Sequence, residues 1–349
     1  MDSFPARPLE DLPFAFGVPE VQGRLRSEPE DFLVQELPVC EPEGSGEHVW
    51  LLLRKRNANT DWVARQLARH ADVPASRVSF AGLKDRNAVT EQWFSVHLPG
   101  EAEPDWNDFL CEGVQVLRHA RHGRKLRRGA LRGNRFDLRV REVTGDRAAL
   151  DERLRRIAVH GVPNYFGAQR FGRAAANLSA AQALFAGNLG RVDRHRRGLY
   201  LSAARAWLFN QVLAARVRDG SWERIGDGDV LQPEGSHGWF APEPGDPRLD
   251  ERLASLEIHP TGPLWGRGGP PVSGRALALE MQVLEPWTLF RRGLEKVGMD
   301  QERRALRLRV GDLCWQHRGG DLHLEFVLGR GAFATAVIRE LVAELADAD

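Results

Sequence analysis

The spacing of hydrophobic and polar residues predicts a chain built from both strands and helices. Strands are predicted where β-forming residues cluster or alternate with polar ones. Helices are predicted where apolar residues recur every three or four positions. The predicted strands are 31–37, 48–53, 78–80, 93–98, 134–141, 306–310 and 322–328. The predicted helices are 60–71 with Thr60 as its cap, 147–160, 199–218, and a last one carrying Ile338, Leu341, Val342 and Leu345.

The order of these elements favours a discontinuous domain. Strands dominate both ends of the chain, whereas the middle combines helices with a stretch rich in glycine and proline at 220–274. A separate carboxyl-terminal domain of about 45 residues would be too small to build its own core. We therefore predict an α/β (α+β) fold in which residues 1–159 and 306–349 form one sheet domain, interrupted by an inserted domain at 160–305.

Composition places the chain among ordinary globular proteins. It has 349 residues, of which 42% are apolar and 28% charged. No apolar run is long enough for a membrane span, and the first residues lack the pattern of a secretory signal. The three cysteines are scattered, which is typical of a reducing cytoplasm. No zinc, dinucleotide or P-loop motif has the required spacing, so we predict no metal, no nucleotide cofactor and no membrane partner.

The charge is balanced overall but not locally. Lys and Arg total 49 against 48 Asp and Glu, and only four of the basic residues are lysines, which makes each lysine mildly informative. Between Arg118 and Arg141, ten residues are basic and one is acidic. Such a cluster is typical of a surface that binds phosphate, although a solvated face in an arginine-rich chain would have the same pattern. Within the cluster, Lys125, Arg127 and Arg128 are our candidates for contacts with a nucleic-acid backbone.

Two further stretches could carry chemistry. In AGLKDRNAVTEQ (81–92), Asp85 lies between Lys84 and Arg86, and two cations favour an ionised carboxylate that can act as nucleophile or base. A simple turn aspartate is the alternative. In VPNYFGAQRFG (162–172), aromatic rings alternate with amide and guanidinium groups, which suits unpaired bases. A packed joint between two elements would explain that second stretch equally well.

Five segments, in this order, resemble the tRNA pseudouridine synthase D (TruD) family. GLKDR followed by AVT is the most specific of the matches, and the five together span nearly the whole chain. The resemblance implies a pseudouridine-synthase catalytic domain with a mainly antiparallel sheet, interrupted by a family-specific α/β domain. The segments are RSEPEDFLVQE (26–36), AGLKDRNAVTEQ (81–92), KLRRGALRGNRF (125–136), VPNYFGAQRFG (162–172) and RGAFATAVIREL (330–341).

The resemblance also implies roles for individual residues. Asp85 stands where the family has its essential aspartate, described as the nucleophile. Arg26 stands where relatives often have lysine, as an ion-pair partner for that aspartate, and Lys84 is placed beside it. Phe136 falls where related synthases have a tyrosine that stacks on the target base. Three residues match positions expected to line the substrate pocket: Phe32, Asn134 and Phe333.

The function implied is the isomerisation of a uridine to pseudouridine in tRNA, with uridine 13 in the dihydrouridine arm as the family's usual target. This reaction adds no atom and changes no oxidation state, which agrees with the prediction of no cofactor. The target base must leave the stack, and an aromatic side chain offsets part of that cost. Two alternatives stay open: a non-catalytic RNA-binding protein or chaperone, and a glycosidase-like enzyme that releases the base. We predict no obligate protein partner.

Overall fold

The computed structural model describes Phe4 and residues 9–243 and 245–344, and its contacts divide the chain into two compact units. The helical unit comprises residues 1–19, 148–309 and 333–341. The sheet unit comprises residues 20–147, 310–332 and 342–349, so it draws on both ends of the chain. The insertion predicted at 160–305 lies wholly within the helical unit, and its boundaries stay a prediction.

Regular elements alternate along the chain. Up to residue 160 they are β1 Gln22–Leu25, β2 Phe32–Pro38, β3 His48–Arg56, α1 Thr60–His70, β4 Val78–Phe80, β5 Val89–His97, β6 Val114–His122, β7 Leu131–Thr144 and α2 Arg147–His160. They continue with β8 Val162–Pro163, α3 Ala176–Phe185, α4 Arg194–Arg218, β9 Leu231–Pro233, α5 Leu249–Ala254, β10 Ile258–Leu264, α6 Gly274–Val283 and α7 Thr288–Lys296. The last are β11 Glu302–Ala305, β12 Arg307–Leu308, β13 Gly311–Arg318, β14 Asp321–Gly329, α8 Ala334–Leu341 and β15 Ala343–Glu344.

The sheet unit is built on a mixed sheet of ten strands. Seven of them run in the order β13-β14-β7-β2-β5-β3-β6, while β1, β4 and β15 pair at the sides. Only the pairs β2–β5 and β1–β15 are parallel, so the described sheet is mainly antiparallel, as predicted. Strand β5 is buried from its first residue to its eighth, because it lies inside the sheet and is covered on both faces.

Helix α1 covers part of this sheet because its apolar residues share one face. Val63 and Leu67 are fully buried and belong to the same core cluster as Leu51 and Phe94 of the sheet. The predicted Thr60 cap is wrong. Asn59 caps the helix, since its side chain accepts a hydrogen bond from the backbone N–H of Asp61, two residues further on, and Thr60 is the first helical residue.

The helical unit is organised around α4, a helix of 25 residues whose second half is almost entirely buried. Two small sheets accompany it, one of three strands in the order β11-β10-β9 and one that pairs β12 with β8. Buried ion pairs join its elements: Arg216 with Asp229 at 2.8 Å, and Arg303 with Glu280 at 2.6 Å. Each is bidentate, which offsets the cost of removing both charges from water.

Most predicted elements are present, with shifted ends. The helix at 147–160 has the predicted bounds, whereas the strand at 93–98 begins four residues earlier and the helix at 199–218 five earlier. Leu306, Leu308 and Val310 are buried as predicted, but they lie around the short strand β12 instead of in one strand. The last helix ends at Leu341, and the predicted Leu345 lies outside the described residues.

Candidate active site

The loop that carries Asp85 joins β4 to β5 and is held by buried polar side chains. The amide nitrogen of Gln92 donates a hydrogen bond to the carbonyl oxygen of Gly82. The hydroxyl of Thr60 accepts from the backbone N–H of Lys84 at 3.2 Å and donates to the Gln92 side chain at 3.1 Å. Both Thr60 and Gln92 are buried, so the loop rests on groups that cannot easily move.

A third support comes from Lys55 on β3. Its side chain is fully buried, and its ammonium group donates to the carbonyl oxygens of Ala58 at 2.9 Å and of Asp85 at 3.1 Å. The pKa of Lys55 is lowered to about 8, mainly by burial; the negative charge of Asp85 opposes this shift and the positive charge of Lys84 adds to it. The backbone of Asp85 therefore rests on a buried cation.

The carboxylate of Asp85 forms an ion pair with Arg26. Arg26 Nη2 lies 3.1 Å from Asp85 Oδ2, and the two side chains are 28% and 34% exposed. The guanidinium also lies 4.1 Å from the centre of the Phe32 ring. Arg26 has a left-handed backbone with φ of 56°, which is uncommon for arginine and typical of functional segments. The carboxylate is thus oriented on one oxygen while it stays open to solvent.

Lys84, the residue before Asp85, points its ammonium group into a buried polar cluster. Its Nζ lies 2.7 Å from Glu36 Oε2 and donates to Asn134 Oδ1 at 2.7 Å. Glu36 is almost fully buried, which raises its pKa, while Lys84 opposes that shift. Through Lys84, this cluster links the loop to Glu36 on β2 and to Asn134 on β7. Asn134 therefore contacts the residue next to Asp85.

Phenylalanine rings extend the site along the sheet. Phe32 and Phe136 meet edge to face with ring centres 6.1 Å apart, and Phe136 stacks on Phe326 at 5.2 Å. Phe32 is 3% exposed and Phe136 6%, because β2, β7 and β14 are adjacent strands that present these rings on one face. Through Arg26, the rings and the Asp85 carboxylate form one contiguous cluster.

Phe333 belongs to the helical unit, where it packs against the hydrophobic core. The sheet unit therefore brings together six of the seven predicted catalytic and substrate-binding residues, and Phe333 is not among them. Its predicted place in the substrate pocket stays a prediction. The six are Asp85, Arg26, Lys84, Phe32, Asn134 and Phe136.

The basic stretch is less uniform than its composition indicates. Much of its charge is neutralised, since several arginines on β6 and β7 pair with acidic residues of other segments. The paired residues are Arg118 with Glu41, Arg121 with Glu103, Arg135 with Asp312, Arg139 with Asp321, and Arg141 with Asp31 and Glu28. The cationic surface is therefore smaller than the ten basic residues of 118–141 indicate.

Four of the cations that lack an acidic partner in the described structure lie in the loop between β6 and β7, which we call the basic loop (residues 123–130), and Arg132 follows them on β7. Its four cations are exposed and form no ion pair within the described part of the chain: Arg124, Lys125, Arg127 and Arg128. Leu126 anchors the loop, since it is buried and its N–H donates to Ser95 Oγ at 3.0 Å. The N–H of Gly129 donates to the carbonyl oxygen of Ala81 at 2.7 Å, which ties this loop to the one that carries Asp85.

The stretch 162–172 is a packed joint. Tyr165, Phe166 and Phe171 are all buried in the core of the helical unit. The amide of Asn164 donates to the carbonyl oxygen of Ala305 at 2.8 Å. All three rings contribute to that core, which favours the packing alternative.

Sequence reasoning missed Lys55, Glu36 and the pair Thr60–Gln92. A signal was present for the first of these, because the chain has only four lysines, of which Lys84 lies in the loop of Asp85 and Lys55 binds that loop. Among the described residues, no three His, Cys, Asp or Glu lie close enough together to hold a metal ion. No helix in the described ranges is long and apolar enough to cross a membrane.

A partly exposed carboxylate held by an arginine, next to rings and a cationic loop, suits an enzyme that acts on a nucleic-acid base. Comparison with known structures agrees on the fold. A crystal structure assigned to TruD from Methanosarcina mazei matches with a TM-score of 0.70, covering 97% of this chain and 96% of that one. The two are 20% identical, so this likeness concerns the fold alone.

Sequence comparison is more specific. The model of the family described as tRNA pseudouridine synthase D (TruD) matches residues 10–188 and 175–341. A tRNA pseudouridine synthase D of Methylococcus capsulatus is 50% identical over 96% of this chain and 95% of its own length. One of Nitrosococcus oceani is 51% identical over 91% and 90%. The chain belongs to the tRNA pseudouridine synthase D (TruD) family.

Proposed function

We propose that this enzyme converts uridine 13 in the dihydrouridine arm of tRNA to pseudouridine, without a cofactor, with Asp85 as the nucleophile and with the target base flipped out of its stack. Membership of the family supports the isomerisation of a tRNA uridine. One observation carries the role of Asp85: its carboxylate is accessible and oriented by Arg26, on a loop fixed by buried groups. Because the proposed substrate is tRNA, we place the reaction in the cytoplasm.

The reaction needs a group that can hold C1′ or its neighbouring proton while the base turns. The bond from N1 to C1′ breaks, uracil rotates, and a bond from C5 to C1′ forms. The proton on C5 is lost and N1 gains one, so atoms and electrons balance. A carboxylate can attack C1′ or remove the 2′ proton, and both routes use the same oxygen of the same residue.

The geometry supplies such an oxygen. Arg26 binds Asp85 Oδ2, and no described residue donates a hydrogen bond to Oδ1. The ion pair orients the carboxylate through Oδ2, so Oδ1 is the atom we assign to the substrate. Pre-orientation of this kind lowers the entropy cost of reaching the reactive geometry.

The surroundings suit a flipped nucleotide. Extruding a base costs a few kcal/mol of free energy, and stacking on an aromatic ring offsets about 1–3 kcal/mol of it. Phe32 lies against Arg26 and Phe136 lies against Phe32, while Asn134 provides an amide that can recognise the edge of a pyrimidine. Lys125, Arg127 and Arg128 of the basic loop would bind the RNA backbone without reading its sequence.

The decisive experiment removes the carboxylate. We expect Asp85→Ala to keep tRNA affinity within about threefold and to form no pseudouridine, because the residue acts in the reaction and contributes little to binding. Asp137→Ala is the matched control, since Asp137 is an exposed carboxylate on β7 in the same unit. Chemical tagging of pseudouridine, with mapping of the modified position, measures both activity and target.

Each other outcome has a clear meaning. Product formed by Asp85→Ala would refute its assignment as the nucleophile. Modification at a position other than uridine 13 would refute the target. Binding of tRNA by the wild-type protein without any product would favour an RNA-binding protein, and release of free uracil would show cleavage in place of isomerisation.

A further inference from the structure

Lys55 is an unusual residue for its position. It lies on β3, between β5 and β6, with Thr90 and Val114 as its register partners. This central place leaves the side chain with no exposed surface. A lysine so enclosed is rare unless it is paired with an acid, and Lys55 forms no ion pair within the described ranges. Its ammonium group binds two backbone carbonyl oxygens instead, those of Ala58 and Asp85.

This arrangement has a cost that packing does not explain. Burial of an ammonium group destabilises a fold unless hydrogen bonds and opposite charges compensate. An apolar side chain of similar length would fill the same space without that cost. Arginine is about eleven times as frequent as lysine in this chain, so the choice of lysine here is specific.

We propose that Lys55 is a positioning residue for the reaction: its ammonium group fixes the backbone of Asp85 and places a positive charge close to the neighbouring carboxylate, which helps to orient it. This inference rests on the proposed function of Asp85. The contact at 3.1 Å reaches the main chain of that residue, so the carboxylate stays available to substrate and to Arg26. Lys55 contacts no substrate atom in this mechanism and acts only through Asp85.

Because Lys55 can lose its charge, its effect on the reaction rate depends on pH. The charged groups that act on it are Asp85 and Lys84 of the loop, while its partners on β5 and β6 carry no charge. Its pKa is lowered from 10.5 to about 8, mainly by burial. Lys55 therefore loses its proton as the pH rises through about 8, and the support of the carboxylate by this cation is lost with it.

The test compares Lys55→Met with wild type in single-turnover reactions on tRNA. We expect the variant to react at least about tenfold more slowly near neutral pH, with tRNA affinity within about threefold. Wild-type turnover should fall about fivefold or more as the pH rises from about 7.5 to about 9.5, and the variant should lack this fall. Lys296→Met, a change at an exposed lysine at the end of α7, should behave as wild type throughout.

Stability provides an independent reading. The lowered pKa means that the unfolded chain binds one more proton than the folded chain between pH about 8 and 10.5, so wild-type stability rises across that window. Lys55→Met lacks this rise. Its melting temperature should equal or exceed that of wild type near neutral pH, and the difference should shrink in alkali. A purely structural lysine would show the opposite sign near neutral pH.

Several results would overturn the inference. Wild-type turnover in the variant, or slow turnover that keeps the alkaline fall, would show that the charge of Lys55 is not used. If the variant does not fold, a wild-type rate that stays flat up to about pH 9.5 would refute the inference by itself. If wild type forms no pseudouridine at any pH, the proposed function fails. The wild-type reactions therefore distinguish that failure from a failure of the role of Lys55.

Discussion

Arg26 Nη2 lies 3.1 Å from Asp85 Oδ2, although the two residues are 59 positions apart in the sequence. The same guanidinium covers the ring of Phe32 at 4.1 Å. One side chain therefore connects the candidate nucleophile with the rings of the pocket. Its two contacts can be separated, because lysine can keep the ion pair but not the planar stacking of a guanidinium.

We expect Arg26→Ala to lower turnover about tenfold and Arg26→Lys to recover most of that loss. Both residues are partly exposed, and exposed ion pairs contribute about 0–1 kcal/mol to stability, so the melting temperature should hardly change. Single-turnover rates and thermal unfolding measure the two effects. Equal rates for Arg26→Ala and wild type would remove Arg26 from the site.

The pair Lys84–Glu36 predicts a different behaviour, because it is buried. Lys84→Met leaves the Glu36 carboxyl without its cation, and breaking a buried pair costs about 3–5 kcal/mol. Burial then raises the pKa of Glu36 further, so the folded protein takes up a proton that the unfolded chain releases. The variant should therefore be most stable at acidic pH and lose stability as the pH rises.

A double variant provides the control for that pair. Lys84→Met with Glu36→Gln removes both charges, and we expect it to regain most of the stability lost by the single variant. Urea unfolding at several pH values gives the comparison. A single variant whose stability did not change with pH would show that Glu36 reaches solvent.

The basic loop predicts a salt effect. Lys125→Gln, Arg127→Gln and Arg128→Gln together should weaken tRNA binding and reduce the slope of log Kd against log salt by about 2–3, since each phosphate contact contributes about 0.7–0.9. Arg139→Gln is the matched control, because Arg139 is already paired with Asp321 at 2.6 Å. Equal slopes for the triple variant and wild type would mean that the loop does not contact RNA.

Phe136 needs a control for packing. It is buried and stacked on Phe326, so replacing either ring by leucine should destabilise the sheet unit by a similar amount, on the order of 1–2 kcal/mol. We expect Phe136→Leu to lose turnover about tenfold beyond Phe326→Leu, since only Phe136 also contacts Phe32 beside Arg26. Rates measured at matched folded fractions compare the two. If both variants lose activity equally, Phe136 has only a packing role.

The sequence by itself determined the local elements and the candidate nucleophile. Strand β7 was predictable because Phe136, Leu138 and Val140 alternate with charged residues, and α2 because its apolar stripe ends before Gly161. Periodicity of this kind depends only on neighbours along the chain. Asp85 was identified from its motif, GLKDR followed by AVT, and the two strands that flank its loop were also predicted.

Tertiary structure decided which charges remain available. The sequence placed ten cations between residues 118 and 141, but it could not show that acids such as Glu103 and Asp321 neutralise most of those on the strands. The pairing of β7 with β14 brings Asp321 to Arg139, whereas Glu103 reaches Arg121 from the loop after β5. Among the described residues, the exposed cations of this stretch that have no acidic partner are the four of the basic loop and Arg132 near the start of β7.

Lys55 marks the limit of sequence reasoning most clearly. Its hydrogen-bond acceptors are backbone carbonyl oxygens, which every residue carries and no motif records. That these two oxygens lie beside its ammonium group follows from the pairing of β3 with β5 and from the path of the loop between β4 and β5. The chain thus specified where a strand forms and which acid stands in the loop, whereas the assembled sheet decided which cation supports that acid.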